Sequence, residues 1–260
     1  MAIHGNFASV SASLADPEEI LRRLCDALRQ KVFPHVLSYL QKQPSVNEAN
    51  LDKLVLDFLS TYRNLTLSGY TIQFLPPYDP AYRPDTGRTH HDFVCKGLYR
   101  PTSMPVTIWV NDKLGNLDTP RRNDVTTYNN LLRLYLEAPH ARIRTPSLPP
   151  NATDAILRRL KNQELVAYGI LAIDRSLNEY SFFLLEEIEG PLYINPRNTM
   201  LQVSYRPKLR QKPQSYKDFI LSLLEAIQHA LRRTQQSVES ELESLEKIRQ
   251  DIESIAKENR

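Results

Sequence analysis

The order in which helix-like and strand-like segments alternate is the feature of this sequence that most restricts its fold. Apolar residues recur at helical spacing at 20–32 and again at 51–62. Three short runs rich in β-branched and aromatic residues follow, at 70–75, 91–96 and 105–110. Three successive strands placed after helices predict an α/β domain.

The second half of the chain continues the alternation. Helices are predicted at 125–136, after a polar stretch at 115–123, and at 154–162. Strands are predicted at 165–173, 180–187 and 200–205. We therefore expect a mixed central β-sheet of about five strands, flanked by helices on both faces and carrying helical extensions at each end.

Two local signals predict where the first helices begin. Asp16 precedes Pro17 and two glutamates, which is typical of an N-cap followed by proline at the first helical position. Ser45 and Glu48 have the spacing of a capping box and predict the start of the next helix.

The segment from Ser215 to the end contains neither proline nor glycine and predicts one long helix. Its last part has apolar residues close to heptad spacing, which leaves two interpretations open. The helix is either a coiled-coil interaction surface or an amphipathic helix that folds back on its own domain. The apolar positions are Val238, Leu242, Leu245, Ile248, Ile252 and Ile255.

Composition excludes several classes of protein. The 33 Lys and Arg against 30 Asp and Glu leave a net charge of only +3, so total charge does not indicate a nucleic-acid partner. Cys25 and Cys95 are the only cysteines, which excludes a disulfide framework and a cysteine-rich zinc site and favours a cytoplasmic location. No apolar run approaches the roughly 20 residues that span a membrane. The common nucleotide-binding, serine-hydrolase and zinc-protease motifs are missing.

Polar residues at the ends of two successive predicted strands form the candidate site. Alternation in a strand predicts that Trp109, Asn111 and Lys113 share one face, opposite Val106, Ile108 and Val110. If Asp92 lies on the adjacent strand, its carboxylate joins the Asn111 amide and the Lys113 ammonium. Oxygen ligands beside a lysine suit Mg²⁺ and phosphodiester hydrolysis, in which the lysine stabilises negative charge on the phosphate.

These residues resemble the motif of the PD-(D/E)xK nucleases, and within them the type II restriction endonucleases. Asp92 matches the first acid, and Asn111-Asp112-Lys113 matches the acid-x-lysine element, with Asn111 in place of the usual Asp or Glu. Thr89-His90-His91 stand where a proline often precedes the first acid. The resemblance covers about residues 45–190 and implies a core of the order αβββαβ.

The resemblance also implies an activity. The protein would be a Mg²⁺-dependent, sequence-specific endonuclease of double-stranded DNA that acts as a homodimer. Asp92 and Asn111 would be the metal ligands and Lys113 the third catalytic residue. The domain would occupy 1–212, and 213–260 would be the long helix. A neutral amide in place of a carboxylate leaves this metal site one negative charge short.

Plainer interpretations of the same residues remain open. Asp92 also suits a capped turn or a surface ion pair, and the segment 111–115 suits a polar exit from a strand. His90 and His91 could bind a metal, although the later Asn and His spacing of a ββα nuclease is missing. Asp57 or Glu48 could add a helix-borne metal ligand, although both residues also suit solvent positions.

Two segments are candidates for contact with DNA. The first follows the lysine and opens a predicted helix, and the second is basic and free of acids. A polar loop and a flexible basic linker would look the same. The candidate residues are Arg121, Arg122, Asn123, Thr126, Thr127, Asn129, Arg197, Arg206, Lys208 and Arg210.

The alternative function is a non-catalytic DNA-binding or scaffold protein. In that interpretation Asn111 marks a lost active site, and the C-terminal helix recruits a partner through a coiled coil.

Overall fold

The computed structural model describes residues 16–77, 91–119, 121–137 and 150–258. Its strands are β1 (Leu65–Leu67), β2 (Tyr70–Leu75), β3 (Phe93–Tyr99), β4 (Met104–Gly115), β5 (Asn123–Thr127), β6 (Leu165–Asp174), β7 (Tyr180–Leu184), β8 (Tyr193–Ile194) and β9 (Met200–Val203). The larger sheet has the order β1-β2-β3-β4-β6-β7, and the smaller sheet has the order β5-β9-β8. In the larger sheet β4 and β6 are parallel, and the other neighbours are antiparallel.

The helices are α1 (Pro17–Lys31), α2 (Phe33–Leu40), α3 (Leu51–Leu59), α4 (Tyr128–Leu136), α5 (Pro150–Leu160) and α6 (Tyr216–Glu258). The predicted start of α1 is confirmed, because the Asp16 carboxylate accepts a hydrogen bond from the backbone N–H of Glu18 at 3.3 Å. The predicted capping box is wrong: α3 begins at Leu51 with Asn50 at the cap position. The Glu48 side chain instead accepts a hydrogen bond from Arg175 at 2.8 Å.

Two hydrophobic cores lie on opposite faces of the larger sheet. One core lies under α1, α2 and α3, and the other lies under α4 and α6. Neighbouring residues of β4 point to different cores: Ile108 belongs to the first core and Trp109 to the second. β6 is buried without interruption from Leu165 to Ile173, as expected for a strand covered on both faces. The prediction of a mixed sheet flanked by helices is therefore confirmed. The elements α3, β2, β3, β4, α4 and β6 occur in the order αβββαβ, with β1 inserted after α3, β5 before α4 and α5 after α4.

The predicted helix at 125–136 begins too early. Residues Asn123–Thr127 form β5, which pairs with β9, and the helix starts only at Tyr128. Val125 continues the apolar spacing of the helix, so periodicity alone did not separate it from the helix. At 185–187 the predicted strand ends in a 3-10 turn. β1 and β8 have three and two residues, too few for a periodic signal.

The long α6 helix lies partly on the domain. Phe219, Leu223 and Ile227 on its inner face are buried in the core under α4 and α6. From 231 to 247 every described side chain is exposed, and Val238 and Leu245 are 49% and 61% exposed. A helix that folds back would bury these residues, so that interpretation is wrong for the side chains described here. Among the described residues, no helix is both long enough and apolar enough to cross a bilayer.

The C-terminal end of β4 depends on a close contact between a glycine and an aromatic ring. A Cβ atom at Gly115 would overlap the ring of Tyr205, which is itself only 6% exposed. Tyr205 therefore packs directly on the strand backbone and fixes the segment after β9 beside the end of β4.

We expect Gly115→Ala to lower the free energy of unfolding by about 1–3 kcal/mol, because the buried Tyr205 ring must move to admit the methyl group. Urea unfolding measures the loss. The double variant Gly115→Ala/Tyr205→Leu should lose less than the sum of the two single losses, because the smaller side chain relieves the overlap. Strictly additive losses would show that the two residues do not compete for this space.

Candidate active site

Three carboxylates meet at the C-terminal end of β4. Oxygen atoms of Asp52, Asp92 and Asp112 all lie within 4.8 Å of one another. Asp52 is in the first turn of α3, Asp92 directly precedes β3, and Asp112 is in β4. In the part of the chain that the structure describes, this is the one group of His, Cys, Asp or Glu side chains with the spacing of a metal site.

Strand pairing fixes Asp92 against Asp112. The backbone N–H of Asp92 donates to the Val110 carbonyl at 2.8 Å, which continues the β3–β4 ladder by one residue. The backbone N–H of Asp112 donates to Oδ2 of Asp92 at 2.7 Å. Asp92 is therefore held by β4, the strand that carries Asp112 and Lys113.

Burial and mutual repulsion disfavour the charged form of these carboxylates. Burial raises the pKa of Asp92 to about 6, although the Lys113 charge acts in the opposite direction. Burial, and then the charge of Asp92 and the carboxyl of Asp52, raise the pKa of Asp112 well above its ordinary value. Among the residues that the structure describes, no donor group reaches either carboxylate oxygen of Asp112. Such a cluster requires protons or a bound cation, and carboxylate oxygens are the ligands that Mg²⁺ prefers.

An open cleft of about 440 Å³ gives access to this cluster. Asp52, Asp112 and Lys113 line the cleft on the side of the larger sheet. Asn123 and Asp124 of β5 line it on the side of the smaller sheet. The cleft lies at the carboxyl end of the parallel pair β4 and β6, the position where α/β sheets usually bind ligands.

The amide nitrogen of Asn111 has its partners on the face of β4 opposite Asp112. It donates to the Tyr168 hydroxyl at 3.2 Å and to the Val125 carbonyl at 3.4 Å, and both partners belong to the core under α4 and α6. Asp112 faces the opposite side of the sheet, toward α3. The carbonyl oxygen of Asn111 is buried and has no hydrogen-bond partner among the described residues. The role of Asn111 as a metal ligand beside Asp92 stays a prediction. The sequence analysis treated β4 as buried on one face, whereas both faces are covered.

The helix-borne acid is Asp52, which the sequence analysis did not propose. Asp57 is exposed further along α3, and Glu48 lies at the rim of the cleft in its ion pair with Arg175. Asp52 directly follows the buried Leu51, so its position at the edge of the apolar helix face was the available signal. His91 is buried beside Asp92, and His90 lies outside the described residues.

The first DNA-contact segment is divided by β5. Arg121 and Arg122 are exposed, and Asn123 lines the cleft. Thr126 is only 4% exposed, and the Thr127 hydroxyl caps α4 by accepting from the N–H of Asn130. Both side chains thus have contacts within the fold, and the predicted contact of these two threonines with phosphate stays a prediction. Asn129, in the first turn of α4, is half-buried.

The second segment is basic in sequence but meets acids in the folded chain. Arg206 forms ion pairs with Asp118, at 2.9 Å, and with Glu179. Lys208 pairs with Glu189 at 2.7 Å. The Nε atom of Arg210 donates to the Ile188 carbonyl at 3.1 Å, and Arg197 is exposed.

Comparison with known proteins gives the family. No family model matches the chain. The chain is 35% identical over 235 residues to the type II restriction enzyme MjaIV of Methanocaldococcus jannaschii, and the match covers 90% of this chain and 93% of that protein. The chain therefore belongs to the type II restriction enzymes, which are site-specific deoxyribonucleases.

Proposed function

We propose that the protein is a cytoplasmic, Mg²⁺-dependent endonuclease that recognises a specific sequence in double-stranded DNA and hydrolyses its phosphodiester bonds. The observation that carries the proposal is the buried carboxylate pair Asp92 and Asp112, joined by Asp52, in a cleft that also contains Lys113. Membership of the restriction enzymes rules out the alternative of a non-catalytic scaffold.

The residues present fit a divalent cation. Both oxygens of Asp112 are buried and have no hydrogen-bond donor in the described part of the chain. Asp92 and Asp52 bring further carboxylate oxygens to the same place. These three residues would hold the ion. When bound, a divalent cation polarises the scissile phosphate and lowers the pKa of a bound water.

The protein groups contribute positioning and charge. The backbone N–H of Asp112 fixes Asp92, so this carboxylate does not have to be ordered when substrate binds. The Lys113 ammonium lies close enough to Asp92 and Asp112 to affect the pKa of both. In the cleft it would stabilise the negative charge that develops on the phosphate and orient the attacking water.

The motif and the structure assign the second acid differently. In the family pattern Asn111 stands at the acid position and Asp112 at the middle position of the acid-x-lysine element. We propose that Asp112 supplies the ligand and that Asn111 ties β5 to β4 through the Val125 carbonyl. The sequence-based assignment of Asn111 as a ligand is the competing hypothesis.

The DNA-contact residues are proposed in two groups. Arg121, Arg122, Asn123, Asn129 and Arg197 lie at or near the surface. The ion pairs of Arg206 and Lys208 are exposed, and such pairs contribute only about 0–1 kcal/mol, so these side chains can exchange their acids for phosphates at little cost. Arg210 belongs to the same segment.

We expect Asp92→Asn, Asp112→Asn and Lys113→Ala to lower DNA cleavage by at least about a hundredfold, since each removes a ligand or a charge at the reacting phosphate. Cleavage of phage-length DNA with Mg²⁺ measures the effect, and gel-shift binding with Ca²⁺ shows whether affinity is kept. Asp57→Asn is the matched control for Asp52→Asn, because both acids lie on α3 and only Asp52 reaches the cluster. Wild-type cleavage by Asp112→Asn would refute the site.

Asn111→Asp separates the two assignments of the second acid. If Asn111 holds β5, the variant loses its N–H donor and buries another carboxylate, so it should lose about 1–3 kcal/mol of stability and most of its cleavage. If Asn111 were the ligand, the new carboxylate would tighten metal binding. Thermal unfolding and the Mg²⁺ concentration for half-maximal cleavage are the two readouts. A lower Mg²⁺ requirement at unchanged stability would favour the ligand hypothesis.

A homodimer is proposed from the outward face of α6. Leu224, Leu231, Val238 and Leu245 repeat every seven residues on this face, and each is at least 39% exposed. A second series has the same seven-residue repeat, and each of its members lies three positions before a member of the first. These residues are Leu221, Gln228, Gln235 and Leu242. The two series form a heptad seam along the helix, and two copies of it would bury each other's apolar residues. A two-fold dimer also matches the symmetry of a palindromic DNA site.

We expect Leu231→Lys/Val238→Lys to convert the dimer to a monomer, because the two lysines would bring like charges together in the seam. Analytical ultracentrifugation measures the mass in solution. Gln236→Lys/Ser240→Lys adds the same charge to exposed positions beside the seam and should leave the dimer intact. An unchanged mass in the first variant would show that α6 is not the interface.

A further inference from the structure

The two faces of the small sheet β5-β9-β8 differ in character. Leu201, Val203 and Ile194 on one face are buried in the core under α4 and α6. The other face carries a row of three residues in register across the strands, Asp124 opposite Gln202 and Gln202 opposite Tyr193. This row begins at the cleft, because Asp124 lines it together with Asp112 and Lys113.

The Asp124 carboxylate fixes the amide of Gln202. Its Oδ1 accepts from Nε2 of Gln202 at 2.6 Å, and its Oδ2 accepts from the amide nitrogen of Asn198 at 3.0 Å. A carboxylate only accepts hydrogen bonds, so the nitrogen of the Gln202 amide must face it. The carbonyl oxygen and the second N–H of Gln202 remain to bind another group.

That arrangement is complementary to an adenine edge. In the major groove adenine presents the N7 acceptor beside the N6 amino donor, and a glutamine amide pairs with both. The antiparallel pair β5 and β9 is a two-stranded ribbon, which the major groove admits. The carboxylate of Asp124 supports the same conclusion, since it would repel phosphates whereas base amino groups can donate to it.

An arginine completes the row at its far end. The Arg122 guanidinium lies 4.7 Å from the centre of the Tyr193 ring, on its face. Stacking restrains the guanidinium while its N–H donors stay available to a guanine edge or a phosphate.

We propose that this face of the small sheet reads base edges in the major groove, with Gln202 as the residue that contacts an adenine and Asp124 as its positioning residue. The proposal rests on the proposed function and adds the element that would give it sequence specificity. The sequence analysis treated 200–205 only as a strand and did not single out Gln202.

The test uses the full-length protein and the site defined by the ends of its wild-type cleavage fragments. With Ca²⁺ in place of Mg²⁺, we expect Gln202→Ala to reduce the preference for this site over unrelated DNA by about ten- to hundredfold and to leave affinity for unrelated DNA unchanged. Gln202→Met keeps the length of the side chain but removes its amide, so it should lose the preference in the same way as Gln202→Ala. Gln73→Ala is the matched control, because Gln73 is an exposed strand residue whose amide is held by Asn64 at 2.6 Å.

A modified base and the Asp124 variants complete the test. Replacing the contacted adenine by 7-deazaadenine should weaken wild-type binding and have little further effect on Gln202→Ala, since both changes remove the same contact. Asp124→Ala should lower the preference, and Asp124→Glu, which keeps an acceptor for the Gln202 amide, should restore part of it. If Asp124 had a purely structural role, the effects of Asp124→Ala and of 7-deazaadenine on binding would be independent of each other.

The outcomes distinguish this inference from the proposed function. If the wild type cleaves specifically and Gln202→Ala keeps the full preference, the inference is wrong and the endonuclease assignment stands. If Gln202→Ala weakens specific and unrelated DNA equally, the residue contacts the backbone and the inference is also wrong. If the wild type leaves all DNA uncut with Mg²⁺, the proposed function itself fails.

Discussion

The site depends on one backbone hydrogen bond, from the N–H of Asp112 to the carboxylate of Asp92. This bond exists because β3 and β4 pair in a register that places Phe93 opposite Val110, with Asp92 directly before the pair. A shift of one residue would turn Asp112 to the other face of the sheet, away from α3. Ile108 and Trp109 oppose such a shift, because they fill different cores and cannot exchange places without loss of packing. The hydrophobic cores therefore fix the position of the acids.

The same packing holds the acids in a place that is unfavourable for them. Burial raises the pKa of Asp92 and Asp112, so the folded protein without a cation binds protons more tightly than the unfolded chain does. Stability from this source is complete below the ordinary carboxyl pKa and falls as the pH rises through the raised values. A cation offsets the repulsion without requiring protons. The energetic cost of clustered carboxylates is thus the property that makes this cluster a candidate cation site.

The sequence predicted the order of helices and strands better than it predicted which faces of the strands are buried. The spacing of apolar residues located β2, β3, β4 and β6, because strand and helix periods are local properties. It did not show that β4 is covered on both sides, and Asp112 was therefore not proposed as a ligand. Asp52 was missed for a related reason, since a helix acid joins a carboxylate cluster on strands only when packing turns it toward them. Pairing across distant segments, such as Arg206 with Asp118, is equally invisible in the order of residues.

The strand that carries the acids is joined directly to the strand proposed to read DNA. Asn111 of β4 donates to the Val125 carbonyl of β5, and the next residue back in β5 is Asp124, which orients Gln202. Asn111 is also the neighbour of Asp112, so a displacement of β5 acts on a residue adjacent to the carboxylate cluster. If β5 and β9 contact bases, binding to the recognised DNA sequence favours one position of β5. The Asn111 hydrogen bond then couples the position of β5 to that of β4. An amide suits this role better than a carboxylate, because the role requires a donor to a backbone carbonyl. In this proposal, the asparagine at the acid position of the motif has a physical reason that does not depend on metal binding.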